Sequence, residues 1–222
     1  AGNGFRFDLS QVYDCLPLPR PPLLIDASQA VGVVRLDVTA PPLDFLACTA
    51  GKWLMGPLGV AFLYVSDGFL DAVPPAAGWL AAANNRDWDV RNCILHQDAM
   101  RFQCGIPNLV GAVGALAALK LIEQIGIDFI EKRVSGLTTY AIEKLDRLGL
   151  EVLTPSDPGK RAGLVFFRLP EAKELYFELH RSGIYCGCFM GGIRIDPNFY
   201  NTYEEIDQFA AVVEEFVKEK KG

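Results

Sequence analysis

Three short apolar runs constrain this chain more than any other feature: residues 23–26 (LLID), 43–48 (LDFLAC) and 59–65 (GVAFLYV). Each is apolar at neighbouring rather than alternate positions and is bounded by turn residues, so each reads as a strand covered on both faces. A sheet of such strands needs a helical layer on each side. The expected fold class is therefore α/β, a mainly parallel sheet with helices on both faces. Residues 108–122 (NLVGAVGALAALKLI) supply one helix, apolar all round and rich in Gly and Ala, which predicts a buried, central position with close backbone packing.

Beyond residue 125 the pattern changes. Residues 128–148 place Ile130, Val134, Leu137, Ala141, Leu145 and Leu148 at helical spacing, with Gly149 as a natural stop. Candidate strands follow at 151–153, 163–169, 184–186 and 192–195, with a helix at 172–182 between them. A final helix opens on a capping-box pattern, Thr202 with Glu205 three residues on, and carries the stripe Ile206, Phe209, Ala210, Val213, Phe216. This organisation predicts a first domain over residues 1–125 and a small α+β domain over 126–222. Ahead of the first strand, a loop runs into a short helix that PLPRPP ends.

Composition narrows the function classes. A chain of 222 residues, half of them hydrophobic, can bury a core of one or two domains at roughly 150 residues each. Its net charge of −6 comes from interspersed acidic and basic residues, so no basic stripe offers a nucleic-acid surface. No apolar run approaches the about 20 residues of a membrane span, and the opening residues lack a signal-peptide pattern. The expected setting is the cytoplasm, with neither membrane nor nucleic acid as partner. Six cysteines are scattered without a CxxC pair and read as reduced thiols. Cys186 and Cys188 share a strand face but have no second ligand pair, so no metal site is expected.

The residue with most chemical interest is Lys52, in TAGKWLMGPLGVAFLYV. An ammonium held among apolar groups has its pKa lowered, and the neutral amine attacks carbonyls; the alternative is a lysine that snorkels from a strand end to solvent. Asp26 ends the strand LLID, and Gln29 follows in the turn. Strand ends are where α/β sheets collect ligand-binding groups, although an Asp there can also cap the next turn. An Asp and a Lys at successive strand ends match the needs of pyridoxal phosphate: a carboxylate for the pyridine nitrogen and an amine for the aldehyde. His96 and His180 read as structural or solvent-facing, and the spacing of Gly51, Gly56 and Gly59 does not make a phosphate loop.

Four blocks in order, LLIDASQAVGVVRLDV, DFLACTAGKWLMGPLGVAFLYV, RFQCGIPNLVGAVGALAALKLIEQIG and IRIDPNFYNTYEEID, resemble the class V aminotransferase family. This group of fold-type I pyridoxal-phosphate enzymes includes cysteine desulfurases, selenocysteine lyases, isopenicillin-N epimerase-like proteins and kynureninase. The resemblance implies that residues 1–125 are part of the large cofactor-binding domain and 126–222 the small C-terminal domain. It implies a Schiff base at Lys52, Asp26 against the pyridinium nitrogen, Gln29 against the phenolic oxygen, and Thr49 at the phosphate. Arg194 falls where the family's arginine grips a substrate carboxylate, a task that suits the guanidinium fork; without the family it reads as a surface ion pair.

The chain departs from the family pattern at three places. Thr49, Ala50, Gly51 and Lys52 stand where many members have Ser-x-His-Lys, and Ile106 replaces the threonine of a GTPN block. Members also carry a long stretch ahead of the DxxQ strand, so the chain resembles the family without its N-terminal half. The implied activity is aminotransferase-like or epimerase-like, on a small amino acid, in a homodimer. The alternatives are a cysteine desulfurase or selenocysteine lyase, whose mobile thiolate loop is expected to be truncated here because Cys186 and Cys188 precede Arg194 by only a few residues, and a non-catalytic remnant acting as a dimerising or partner-binding module.

Overall fold

The computed structural model describes residues 2–89 and 91–221, with the backbone alone at 221. The chain divides into two units: Ser10–Val31 with Leu36–Gln124, and Ala1–Leu9 with Gly32–Arg35 and Ile125–Gly222.

In the first unit a short helix α1 (Leu9–Asp14) precedes three strands, β1 (Leu24–Asp26), β2 (Phe45–Thr49) and β3 (Ala61–Val65), in the spatial order β1-β2-β3. β1 and β2 are parallel, with Asp26 opposite Ala47, so their carboxyl ends share one edge of the sheet. β2 and β3 are antiparallel, with Thr49 opposite Ala61. The sheet is thus mixed rather than mainly parallel. The cause is the connection: residues 50–60 contain no helix, and a parallel crossover takes about a dozen residues or more, usually helical.

Burial also departs from the double-covered sheet. Leu24 is 61% exposed, and Phe62 and Leu63 are exposed as well, so these side chains are left uncovered among the described residues, and β1 and β3 each pair with β2 alone. Helix α2 (Leu109–Ile125) buries only Gly111, Ala115, Ala118 and Ile122, one stripe at helical spacing. Leu109, Val110, Val113, Leu116 and Leu121 are exposed, so the helix is neither central nor buried all round. The expected close packing does occur on the buried side. A Cβ on Gly114 would stand 2.5 Å from Pro57 Cγ, and one on Gly56 would lie 3.5 Å from the Ala115 Cα. Asn108 starts the helix by accepting the Gly111 N–H on Oδ1 at 2.9 Å.

The second unit is the α+β module. Helix α3 (Ile127–Arg147) is followed by β4 (Glu151–Val152), β5 (Val165–Arg168), α4 (Ala172–Arg181), β6 (Gly187–Phe189), β7 (Gly192–Ile195) and α5 (Tyr203–Lys221). The strands form an antiparallel sheet in the order β4-β5-β7-β6. Leu137, Leu145, Val165, Phe167, Leu175, Leu179, Ile193 and Val213 are fully buried in one core. The strand expected at 184–186 lies later, at β6. Gly183 ends α4 with φ +77°, and the Ile184 N–H donates to Leu179 O at 2.8 Å, so the helix end takes the groups a ladder would have used. The capping box of α5 is complete: the Thr202 N–H donates to Glu205 Oε2 at 2.8 Å, and the Glu205 N–H to Thr202 Oγ1 at 3.2 Å. Residues 6 and 35 join this unit through α3, by Arg6 to Glu131 at 2.6 Å and Arg35 to Asp128 at 3.0 Å.

Candidate active site

The carboxyl ends of β1 and β2 bring together the residues singled out from the sequence, Asp26, Gln29, Thr49 and Lys52. Asp26 closes β1, and the chain turns at once: the Ser28 N–H donates to Asp26 Oδ1 at 3.0 Å, as Asp side chains do in turns. The Ser28 hydroxyl lies between the two strands and accepts the Thr49 N–H on Oγ at 3.3 Å. Hydrogen bonds from the Ser28 side chain and backbone hold the Asp26 carboxyl below the usual carboxylate range; partial desolvation opposes them, and the Lys52 charge adds to the lowering. Asp26 therefore both organises the turn and remains an anion near Lys52. Cys48, buried on β2, has its thiol pushed up, first by burial and then by Asp26, with Lys52 opposing.

Lys52 sits in a tight loop. The Ala50 N–H to Val60 O bond at 2.9 Å closes its base, the Gly56 N–H donates to Ala50 O at 2.8 Å, and the Met55 N–H donates to Lys52 O at 2.9 Å. Met55 holds φ at +54°, a left-handed conformation uncommon outside glycine. A Cβ at Gly56 would meet the Ala50 Cβ at 2.9 Å, which makes glycine necessary there. Trp53 and Leu54 are buried and anchor the loop, whereas the Lys52 side chain is exposed. The apolar enclosure expected around Lys52 is thus not built: Pro57, Leu58 and Gly59 are themselves exposed and do not cover the amine.

Gln29 is held from the side. Its Oε1 accepts the Trp53 indole N–H at 3.0 Å. Thr49 is engaged in the loop, its hydroxyl donating to Val60 O at 3.4 Å and accepting the Gly51 N–H at 3.5 Å. Ser28 and Trp53 were not singled out from the sequence. The signals available were a hydroxyl inside DASQ and a tryptophan next to the lysine, and each needs the fold to acquire a partner.

Arg194 lies on β7, in the other unit. Its Nε donates to Asp196 Oδ2 at 2.9 Å, and the guanidinium lies 5.3 Å from the centroid of the Phe189 ring. Its two terminal nitrogens have no protein acceptor among the described residues. Burial pushes the Asp196 carboxyl up, with Arg194 acting against it. Burial pushes the Cys186 thiol up to about 11, so it is not a thiolate at neutral pH. His180 lies between the rings of Tyr176 and Tyr185, a packed position, and all six cysteines are free. No helix is long and apolar enough to cross a membrane, and no cluster of three or more His, Cys, Asp or Glu is placed to hold a metal ion among the described residues.

An aspartate and a lysine at adjacent strand ends, with an amide beside them and an antiparallel α+β unit following in the chain, define a protein of the fold-type I pyridoxal-phosphate architecture. The chain belongs to the class V aminotransferase family, whose model matches residues 4–209. It is 35% identical to a probable cysteine desulfurase of Pyrococcus abyssi, over 88% of this chain and 52% of that protein. It is 32% identical to an uncharacterised aminotransferase of Bacillus subtilis, over 94% of this chain and 56% of that one. Among solved structures, the apo cysteine desulfurase of Thermococcus onnurineus NA1 superposes with a TM-score of 0.82 at 30% identity, covering 89% of this chain and 52% of that one. The chain spans about half the length of the curated relatives it matches.

Proposed function

We propose that this chain takes part in pyridoxal-phosphate chemistry on a small amino acid, of an aminotransferase-like or epimerase-like kind, with Lys52 bonding the cofactor's aldehyde. The observation that carries this reading is the pairing at the strand ends: an anionic Asp26, close enough to Lys52 to feel its charge, beside an amide held by Trp53. The ring of pyridoxal phosphate fits this donor set. Asp26 suits the pyridinium nitrogen, Gln29 the phenolic oxygen and Lys52 the aldehyde, while Thr49 offers a hydroxyl and Gly51 a backbone N–H toward the phosphate.

When bound, the cofactor supplies an aldehyde that captures amines and a ring that withdraws electrons from Cα. The chain's residues would do the rest. Asp26, kept ionised by Ser28, holds the ring nitrogen protonated. The exposed Lys52 amine takes and returns the proton at Cα. Arg194, whose Nε is committed to Asp196, offers its terminal nitrogens to the substrate carboxylate in a bidentate grip. In this reading residues 1–125 are the partial cofactor-binding domain and 126–222 the small domain, and the protein works as a homodimer in the cytoplasm.

Identity to a probable cysteine desulfurase favours a second reading, desulfuration. The Cys186 thiol, only partly exposed and pushed up to about 11, does not support it. One experiment addresses both. The purified chain is mixed with pyridoxal phosphate and divided: one portion is reduced with borohydride and mapped by mass spectrometry, and a second, unreduced portion is read for its visible band and given alanine or cysteine. The expected outcome is a visible absorption band and a cofactor adduct on Lys52, both lost in Lys52→Ala. A chain with no band, indistinguishable from Lys52→Ala, overturns the proposal. Sulfide release from cysteine selects the second reading.

A further inference from the structure

We infer that Trp53 is a positioning residue, which turns the Gln29 amide so that it can only donate a hydrogen bond toward the cofactor's phenolic oxygen. This rests on the pyridoxal-phosphate reading above, and the residues themselves carry the step. An indole N–H donates and never accepts, so the Gln29 atom that faces it at 3.0 Å is the carbonyl oxygen Oε1. The amide is thereby fixed in one of its two orientations. Nε2, with its two N–H groups, has no protein acceptor among the described residues and is left for a ligand.

The geometry around Trp53 makes it a firm support. Its side chain is buried, 6% exposed, and it directly follows the exposed Lys52 in the loop closed by Ala50 and Val60. The lysine and the residue that orients Gln29 are therefore carried by one rigid turn. An unclamped glutamine could rotate and present its carbonyl oxygen to an anionic phenolate, which is repulsive. The clamped one offers a donor to charged oxygen, the stronger kind of hydrogen bond.

Trp53→Phe tests the inference, because it keeps an aromatic ring in the buried position and deletes only the N–H and the smaller ring. Two readouts are taken. In the ligand-free protein labelled with ¹⁵N-tryptophan, Gln29→Leu is expected to move the Trp53 indole proton resonance upfield and to speed its exchange with solvent. With pyridoxal phosphate added, Trp53→Phe is expected to weaken binding about tenfold and to raise the pH midpoint of the visible band, since a donor to the anionic oxygen is lost. Gln29→Leu should give the same shift, and the double variant no more than either.

A wild-type band whose midpoint does not change in Trp53→Phe overturns the inference and leaves the cofactor reading intact. Additive effects of the two substitutions, or an indole resonance indifferent to Gln29→Leu, also overturn it. A wild type with no band defeats the cofactor reading and this inference with it. If Trp53→Phe fails to fold, the Gln29→Leu midpoint decides, and an unshifted value overturns the inference.

Discussion

Asp26 shows how much of this site depends on one neighbour. Both hydrogen bonds that lower its carboxyl pKa come from Ser28, and the charge of Lys52 ranks below them. A Ser28→Ala variant is therefore expected to raise the Asp26 midpoint, measured by ¹³C NMR of its carboxyl carbon; an unchanged midpoint would contradict this role. The sign for stability follows. A carboxyl whose folded pKa is depressed stabilises the fold above its unfolded pKa, and that contribution is lost as pH falls through the folded one. The penalty of Ser28→Ala should accordingly be larger at neutral pH than in acid below the ordinary carboxylate range, about 4. Lys52 itself was legible as the end of an apolar run, but the sequence left open whether its amine is enclosed or reaches solvent; the residues that pack inward, Trp53 and Leu54, are its neighbours in sequence.

Among the elements, α2 and the lysine loop act together. The helix reads as apolar all round, yet its packed stripe consists of small residues, because the loop carrying Pro57 and Gly56 comes close to the helix backbone. Gly114→Ala weighs two effects. Helix propensity favours alanine by about 1 kcal/mol, whereas forcing a methyl to 2.5 Å from the rigid Pro57 ring costs about 1–3 kcal/mol. Net destabilisation is expected, seen as a lower Tm and a lower urea midpoint, and a more stable variant would show that the loop yields freely. The terminal helix was better exposed to sequence reasoning. Its capping box rests on two residues three apart, and both bonds form as the pattern requires.

On the scale of the whole molecule, exposed apolar side chains remain on β1, β3 and α2 and at Ile106, more than scattered surface residues account for. We expect the 222-residue chain to sediment as a homodimer at micromolar concentration and neutral pH; a monomeric mass under those conditions would contradict the expectation. The amino-acid sequence by itself determined the local and periodic features: most of the strand segments, the amphipathic helices α3 and α5, and the placement of Asp26 and Lys52 at or just beyond the ends of successive strands. Those follow from side-chain spacing within a few residues. Only the tertiary structure decided that β3 runs antiparallel to β2, that Lys52 stands in solvent, that α2 shows one face outward, and that Trp53 clamps Gln29. The reason is physical: periodicity records which face of an element is apolar, while exposure and hydrogen-bond partners depend on which other segments of the chain come to lie against it.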